Sequence, residues 1–299
     1  MKAENKAYAA ITISVISVSF AAIFIVSIDA PALSIAFFRL LFTTLLILPF
    51  VFLHKKTKKE LFNLPRKNLI IMIGIGIILA AHFALWIQSL KLTSVASSVI
   101  LVTAHPLLVG PVSHYFLKEK LSFLNYLGII LSVFGVVILV YGNYGFESGI
   151  DTLEGNILAI LGGIAAGLYI LGGRKLRKTV SIGSYAIVVY SVGTIVLFII
   201  CLTFNAPLIN LSLRDYGIIF LMAIVAGIFG HTLYNWSLKH IRASVASVVL
   251  LGEPIGSSLL AFFLPWIQQI PSKYTMLGGV IILTGIYLTA RNNKVNFSQ

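Results

Sequence analysis

A phrase that occurs twice in the chain constrains its fold more than any other feature. Residues 89–106 read SLKLTSVASSVILVTAHP, and residues 237–254 read SLKHIRASVASVVLLGEP. The Ser-Leu-Lys triplets and the closing prolines are each separated by 148 positions, and Gly128 returns as Gly278 at a separation of 150. An internal repeat of this length indicates a fold that is built from two related halves.

Long apolar runs place both halves in a membrane. Hydrophobic residues make up 59% of the sequence and charged residues 10%, whereas ordinary soluble domains have about 45–50% and about 25%. About 20 apolar residues cross the roughly 30 Å hydrocarbon layer of a bilayer. We therefore predict an all-α membrane protein, and we interpret its first apolar run as a retained helix rather than a signal peptide. Ten spans are predicted, near residues 8–28, 32–53, 68–90, 94–117, 122–141, 154–173, 181–204, 214–238, 243–264 and 274–290.

Basic residues are distributed unevenly over the predicted loops. If the N-terminus lies in the cytoplasm, 18 lysines and arginines fall on the cytoplasmic side and 3 on the outer side. This positive-inside bias predicts a multi-pass protein of the plasma or inner membrane with both termini in the cytoplasm. The net charge of +13 then requires no nucleic-acid partner, because anionic lipid accounts for it.

The two halves are expected to have opposite orientations in the membrane. The predicted domains are residues 1–146 and 152–291, each with five spans, and an odd number of spans inverts the second half. The charges agree, since Lys118 falls inside whereas its counterpart 150 positions later, Gln268, is uncharged and falls outside. In secondary transporters, inverted repeats place the substrate site near the bilayer midplane, between the halves.

Short motifs cover nearly the whole chain. They are Arg39 early in the second span, the SLKLTSVASS segment ending at Pro106, LKEKLS at 117–122, LGxxxxxxG in the fifth and tenth spans, and the NWSLK–LGEP run ending at Pro254. Together they resemble the EamA-type family of the drug/metabolite transporter superfamily. The resemblance implies ten helices in two repeats that move small metabolites without ATP. The second half departs from the pattern because Gln269 stands where Glu119 stands in the first half, so any carboxylate role is lost there.

Ionisable side chains inside the spans are the first candidates for a functional site, because charge is costly in hydrocarbon. His105 and Glu253 each precede a repeated proline near the middle of a span. Both side chains can bind and release protons, which makes them candidates for coupling. Alternatively, Glu253 is a structural partner of Arg39 or is permanently protonated. Pro106 and Pro254 each remove a backbone donor, so they are hinge candidates.

Two equivalent helix faces supply a second set of candidates. Trp86 follows His82 by four residues, and Tyr234 and Asn235 follow His231 by three and four residues, so each group shares one face. An aromatic ring beside a hydrogen-bonding group suits a pocket for an organic solute. Alternatively, these side chains pack and form hydrogen bonds within the helix bundle.

The charge of Arg39 also has two interpretations. It lies eight residues after Pro31, inside the second span. We favour a structural role, in which the side chain extends to the membrane surface or forms a salt bridge. The alternative is a counter-charge for an anionic substrate or for Glu253.

Signatures of several other protein classes are missing from the sequence. It contains no GxxxxGK[ST], HExxH or GxSxG motif, and its single cysteine, Cys201, cannot form an intrachain disulfide. We therefore expect no cofactor, no metal site and no enzymatic activity.

The function predicted from these features is secondary transport of a small organic metabolite by alternating access, in the direction of export. The alternatives are an uncoupled facilitator or channel, an intramembrane enzyme or lipid scramblase, and a membrane scaffold that transports nothing. The expected partners are the solute and membrane lipids, and we expect the chain to act as a monomer.

Overall fold

Helices form all the regular structure in the part of the chain that the structure describes. The computed structural model describes residues 3–93, 95–144, 153–263, 270 and 272–291. The segment between the two predicted domains, with most of the connection before the last span, lies outside these residues. The elements are α1 Ala3–Val26, α2 Ala32–Leu53, α3 Lys55–Phe62, α4 Arg66–Leu92, α5 Val95–Thr103, α6 Pro106–Phe116, α7 Phe123–Tyr144, α8 Leu153–Arg177, α9 Ile182–Thr203, α10 Leu213–Met222, a π-helix Ala223–Thr232, α11 Leu233–Ser237, α12 Ala243–Val249, a 3-10 turn Leu250–Gly252, α13 Glu253–Phe263 and α14 Lys273–Ala290.

Ten stretches of the described residues are long and apolar enough to cross a membrane. Seven of them are single helices: α1, α2, α4, α7, α8, α9 and α14. The other three are interrupted: α5 and α6 form the fourth span, α10 to α11 form the eighth, and α12 and α13 form the ninth. The predicted all-α membrane fold with ten spans is thus confirmed.

The even number of spans places the start of α1 and the end of α14 on one face of the bundle, here called the terminal face. The other side is called the opposite face. Asn125, at the start of α7, donates to the carbonyl groups of Leu288 and Thr289, at the end of α14, at 3.1 and 3.0 Å. The beginning of α7 and the end of α14 therefore meet at the terminal face, where α3 and the connections 117–122 and 238–242 also lie.

The crossing of α7 and α14 demonstrates that the second repeat is inverted. A Cβ atom placed on Gly128 would lie 2.6 Å from the carbonyl oxygen of Gly285, and one placed on Gly135 would lie 2.9 Å from that of Gly278. Residue numbers rise along α7 while they fall along α14, so the two helices are antiparallel. Because these helices are equivalent members of the two repeats, the repeats run through the membrane in opposite directions.

Other helix contacts repeat with the halves exchanged. The third span, α4, packs on α8 and α9, and the eighth span packs through its π-helix on α1 and α2. Two bundles result. The first bundle contains α4, α5, α6 and α8, and the second contains α1, the π-helix, α11 and α13. This exchange is what a pseudo-two-fold axis in the membrane plane produces.

The pseudo-symmetry is broken where the two bundles meet. Near the terminal face, α6 packs on α12. The related pair at the opposite face, α5 and α13, has no comparable packing among the described residues. Among the described residues, the bundle therefore packs more closely at the terminal face than at the opposite face.

Candidate functional site

A small cavity lies between the two repeats, with Arg39 at its edge. Arg39 is buried, and its Cζ atom lies 4.6 Å from the ring centroid of Phe83. A guanidinium group over an aromatic face is attracted by the ring quadrupole, most strongly where water is excluded. The elements that build the cavity are α2, α4, α9 and the π-helix. Its lining residues are Arg39, Leu40, Thr43, Leu79, Phe83, Tyr190, Gly227 and His231.

Phe83 brings the two equivalent histidines together. Its ring lies 5.2 Å from the ring of His82 and 5.5 Å, edge to face, from the ring of His231. The sequence reasoning did not select Phe83, since it is one of 20 phenylalanines in an apolar chain. The available signal was its position directly after a histidine inside a span.

His82 and Trp86 form the stacked pair that their spacing indicates. Their rings are nearly parallel, at 8°, with centroids 5.9 Å apart. His82 Nδ1 lies 2.9 Å from the carbonyl oxygen of Gly162 on α8, so this histidine also bonds a neighbouring helix. The indole Nε1 of Trp86 is buried and has no hydrogen-bond partner among the described residues.

Arg39 and Glu253 do not form a direct ion pair. The pairs within 4.0 Å among the described residues are Arg174 with Glu119 and Arg214 with Asp29. One guanidinium nitrogen of Arg39, Nη1, is buried without a hydrogen-bond partner in the described ranges. Arg39 thus forms no salt bridge within 4.0 Å among the described residues, and its guanidinium group contacts the ring of Phe83 instead.

Both repeated prolines stand at breaks in their spans. The fourth span is interrupted at Ala104 and His105, and α6 begins at Pro106. The ninth span passes through the 3-10 turn before α13 begins at Glu253, directly before Pro254. Because a proline has no backbone N–H, the helix is weakened at the same place in each repeat. A hinge role for these prolines stays a prediction.

His105 lies against the glycine-rich side of α8. A Cβ atom placed on Gly167 would lie 3.7 Å from the Cβ of His105. Its Nδ1 atom is buried and lacks a partner in the described part of the chain. A buried imidazole nitrogen without a partner is costly, so His105 has capacity for a hydrogen bond that the described residues do not supply.

The residues after His231 separate into different environments. Asn235 is fully buried and donates from Nδ2 to the carbonyl oxygen of His231 at 2.7 Å and to the Tyr169 hydroxyl. Its Nδ2 also lies 3.4 Å from the hydroxyl of Tyr190, which lines the cavity. Tyr234 is buried but is not among the cavity-lining residues. Of the three predicted residues, His231 lines the cavity and Asn235 lies behind it.

His231 lies in the π-helix, whereas Tyr234 and Asn235 lie in α11 directly after it. Thr232 Oγ1 donates to the carbonyl oxygen of Gly227, five residues earlier, at 3.0 Å. Extra residues in each turn rotate the side chains away from the faces that α-helical spacing predicts. A Cβ atom on Gly227 would overlap Thr43 Oγ1, so the π-helix approaches α2 closely. Helical segments of this kind are rare and frequently occur at functional sites.

No cluster of three or more His, Cys, Asp or Glu side chains able to hold a metal occurs among the described residues. The chemical groups at the cavity are instead a guanidinium, aromatic rings, one imidazole and hydroxyl groups. Groups of these kinds are the ones that bind organic solutes in protein pockets.

Comparison with a solved protein supports the architecture. A crystal structure superposes with a TM-score of 0.78 at 17% identity, and the alignment covers 95% of this chain and 96% of that one. At this level of identity the likeness establishes the fold alone.

Sequence relatives are named as transporters. YyaM of Bacillus subtilis (strain 168) is 28% identical over 75% of this chain and 74% of its own length, and YdfC of the same organism is 24% identical over 88% and 83%. The pseudopaline exporter CntI of Pseudomonas aeruginosa is 23% identical over 90% and 89%. A model of the EamA-like transporter family matches residues 5–141 and 153–291. The chain therefore belongs to the EamA-like transporter family.

Proposed function

We propose that this protein is a secondary transporter that exports a small organic solute across the plasma or inner membrane by alternating access. The observation that carries this proposal is a cavity between two inverted repeats, lined in part by Arg39, Tyr190 and His231, in a bundle that packs more closely at the terminal face than at the opposite face. Alternating access needs this arrangement, because a single site must face one side of the membrane at a time.

The solute binds, in this proposal, through the buried donors that the protein leaves unpaired. Arg39 Nη1 and Trp86 Nε1 lack partners among the described residues, and both are positioned by aromatic contacts. Acceptor oxygens on the solute, such as carboxylate or carbonyl groups, would satisfy them. Phe83 and His231 supply the apolar and aromatic surface that an organic solute needs.

Glu253, together with His105, is proposed to couple solute movement to protonation. These two residues stand at the breaks of the ninth and fourth spans, directly before the equivalent prolines. A change in the charge of either side chain acts at the break in its span, where the helix is weakest. The bundles then rock as the charge changes, while His82 and Asn235 position the groups around the path.

Two features support the direction and orientation. The terminal face carries most of the basic residues, which favours its placement in the cytoplasm. One relative is named as an exporter of pseudopaline. We therefore propose that the protein releases its solute at the opposite face, to the outside.

Comparison of metabolites in spent medium tests the proposal. Cells that overproduce the protein should accumulate a solute outside, and Glu253→Gln should reduce this accumulation about tenfold or more. Glu154→Gln is the matched control, because Glu154 is exposed at the start of α8. Identical profiles for the overproducing and the empty strain would contradict transport.

Reconstituted liposomes distinguish the rival functions once the solute is known. Solute movement that ignores a pH gradient and survives Glu253→Gln identifies a facilitator or channel. Lipid turnover or scrambling that disappears in His105→Ala identifies an enzyme or scramblase. Coupled transport predicts that a pH gradient drives uptake by the wild-type protein only.

A further inference from the structure

A buried ion pair joins the two repeats at the terminal face. Arg174, at the end of α8, donates from Nε to Oε1 of Glu119 at 2.6 Å. The side chains are only 2% and 5% exposed. Glu119 belongs to the first repeat, in the connection between α6 and α7, and Arg174 belongs to the second. Removal of either partner from a charge pair this well shielded is strongly destabilising, because the other charge then stays buried without a partner.

The remaining bonds of this pair hold the connection between the eighth and ninth spans. Glu119 Oε2 accepts the backbone N–H of Ala243, the first residue of α12, at 2.8 Å. Arg174 Nη1 donates to the carbonyl oxygens of Leu238 and Lys239 at 2.7 and 2.9 Å. The pair thus bonds to both ends of the segment 238–243, which links the second bundle to α12.

These bonds cross the surface along which the bundles must separate. Arg174 is on α8 of the first bundle, whereas Leu238 directly follows α11 of the second. For the terminal face to open, α6 must leave α12, and the bonds from Glu119 and Arg174 to the segment 238–243 must break. These bonds therefore stabilise the closed terminal face and are lost once that face opens, whereas Glu119 and Arg174 both stay with the first bundle.

The opposite face lacks the residues to build the same device. In the second repeat, Gln269 stands at the position of Glu119. The end of α1, which corresponds to the end of α8, reads AAIFIVSI over residues 21–28 and carries no charge. Closing the opposite face therefore gains no equivalent ion pair.

We propose that Glu119 and Arg174 form a latch at the terminal face only. This latch binds the segment 238–243 and thereby favours the state that is open to the opposite face. The latch rests on the proposed alternating access, and it adds the residues that set the balance between the two states. Solute or coupling energy must release the latch before the terminal face opens. The inverted repeat gives the protein two states of similar structure, open to one face or to the other. The Glu119–Arg174 pair makes the free energies of these two states unequal.

Distances between spin labels on the two faces test the latch. Labels at Phe116 and Lys239 report on the terminal face, and labels at Leu153 and Phe263 report on the opposite face; all four side chains are exposed. Each pair spans the two bundles, and the native cysteine is removed by Cys201→Ala. Double electron–electron resonance on protein in nanodiscs needs no solute.

Loss of the latch should have reciprocal effects on the two distances. Glu119→Gln or Arg174→Gln should raise the population with a long terminal-face distance about tenfold or more, while the opposite-face distance shortens. The double variant should add little to either single change, since both break one interaction. Asp29→Asn is the matched control, because it removes an exposed carboxylate 3.9 Å from Arg214 at the opposite face.

Other outcomes separate the latch from misfolding and from the proposed function. Partial unfolding would broaden both distances, and Glu119→Asp, which keeps the charge, then provides the milder test with an intermediate shift. Unchanged distances in folded Glu119→Gln and Arg174→Gln would overturn the latch even if transport holds. Reciprocal shifts without any transported solute would support the latch and reject the transport proposal.

Discussion

Thr44 and Thr194 lie 150 positions apart and hydrogen-bond to each other through their hydroxyl groups at 3.2 Å. A residue that contacts its own repeat equivalent lies on the axis that exchanges the halves. Each hydroxyl also lies within hydrogen-bond distance of the carbonyl oxygen one turn back, that of Leu40 or of Tyr190, so one hydroxyl donates across the contact while the other donates to its carbonyl. Leu40 and Tyr190 are equivalent too, and both line the cavity. The candidate site therefore lies beside the pseudo-symmetry axis.

The glycines at the α7–α14 crossing should tolerate no added carbon. A Cβ on Gly135 would lie 2.8 Å from the backbone nitrogen of Ile282, which cannot move without displacing α14. Gly135→Ala should reduce stability by about 1–3 kcal/mol through overpacking. Gly74→Ala is the control, because a Cβ there meets nothing within 4 Å. Thermal unfolding in nanodiscs should show a lower Tm for Gly135→Ala alone, and equal values would exclude the tight crossing.

Replacing Phe83 should weaken the site. Phe83→Leu keeps an apolar side chain but removes the ring beneath Arg39, an interaction worth about 2 kcal/mol when water is excluded. We expect reduced stability together with reduced export. Phe134→Leu, at a lipid-exposed position on α7, should change neither. Measurement of Tm and spent-medium metabolites checks both effects, and normal export by Phe83→Leu would place the solute elsewhere.

The contact between the π-helix and α2 should be restorable by a compensating change. Gly227→Ala places a methyl group on Thr43 Oγ1, so we expect poor export and a lower Tm. Thr43→Ala in the same chain removes the clashing hydroxyl and should recover part of both. If the double variant is no better than Gly227→Ala, the defect arises from the helix itself.

Glu60 on α3 should make stability depend on pH. Partial burial raises its pKa, but hydrogen bonds from Ser181 and Ser184 at the start of α9 outweigh this effect and hold the pKa below its usual 4.5. The stabilisation is therefore complete above the pKa of the unfolded chain and is lost as the pH falls through the lower pKa of the folded protein. Glu60→Gln should lower the Tm at pH 7, and this difference from the wild type should shrink in acid. A difference that stays constant as the pH falls would contradict this role of Glu60.

The orientation of the chain can be measured directly. A reporter fused after Gln299 should read as cytoplasmic, because the positive-inside bias places the terminal face there. A reporter fused after Asn210, in the connection between α9 and α10, should read as external. Reversal of both readings would invert the assignment of faces and with it the proposed direction.

Features that depend on hydrophobic length were predictable from the sequence. The ten spans follow from apolar runs, and inversion follows from an odd number of spans in each repeat. The stack of His82 on Trp86 also follows from helical spacing, because α4 is a regular helix. These properties are set locally by the chain.

Features that depend on packing between helices were not predictable. The same helical reasoning placed Tyr234 beside His231, but Tyr234 is not among the residues that line the cavity, and His231 lies in a π-helix that spacing alone does not predict. Arg174 was one basic residue among many near a membrane surface, and Glu119 was part of a family motif. Only the folded chain shows that they meet.

The glycine contacts at their crossing hold α7 and α14 rigidly together. Backbones in contact at two levels along the crossing resist both sliding and tilting. In the proposed alternating access, the movement between the two states therefore falls on the other eight spans. A pair of probes on these two helices should consequently keep a constant separation through the cycle. This constant separation would serve as an internal reference for the other distances that are measured in the protein.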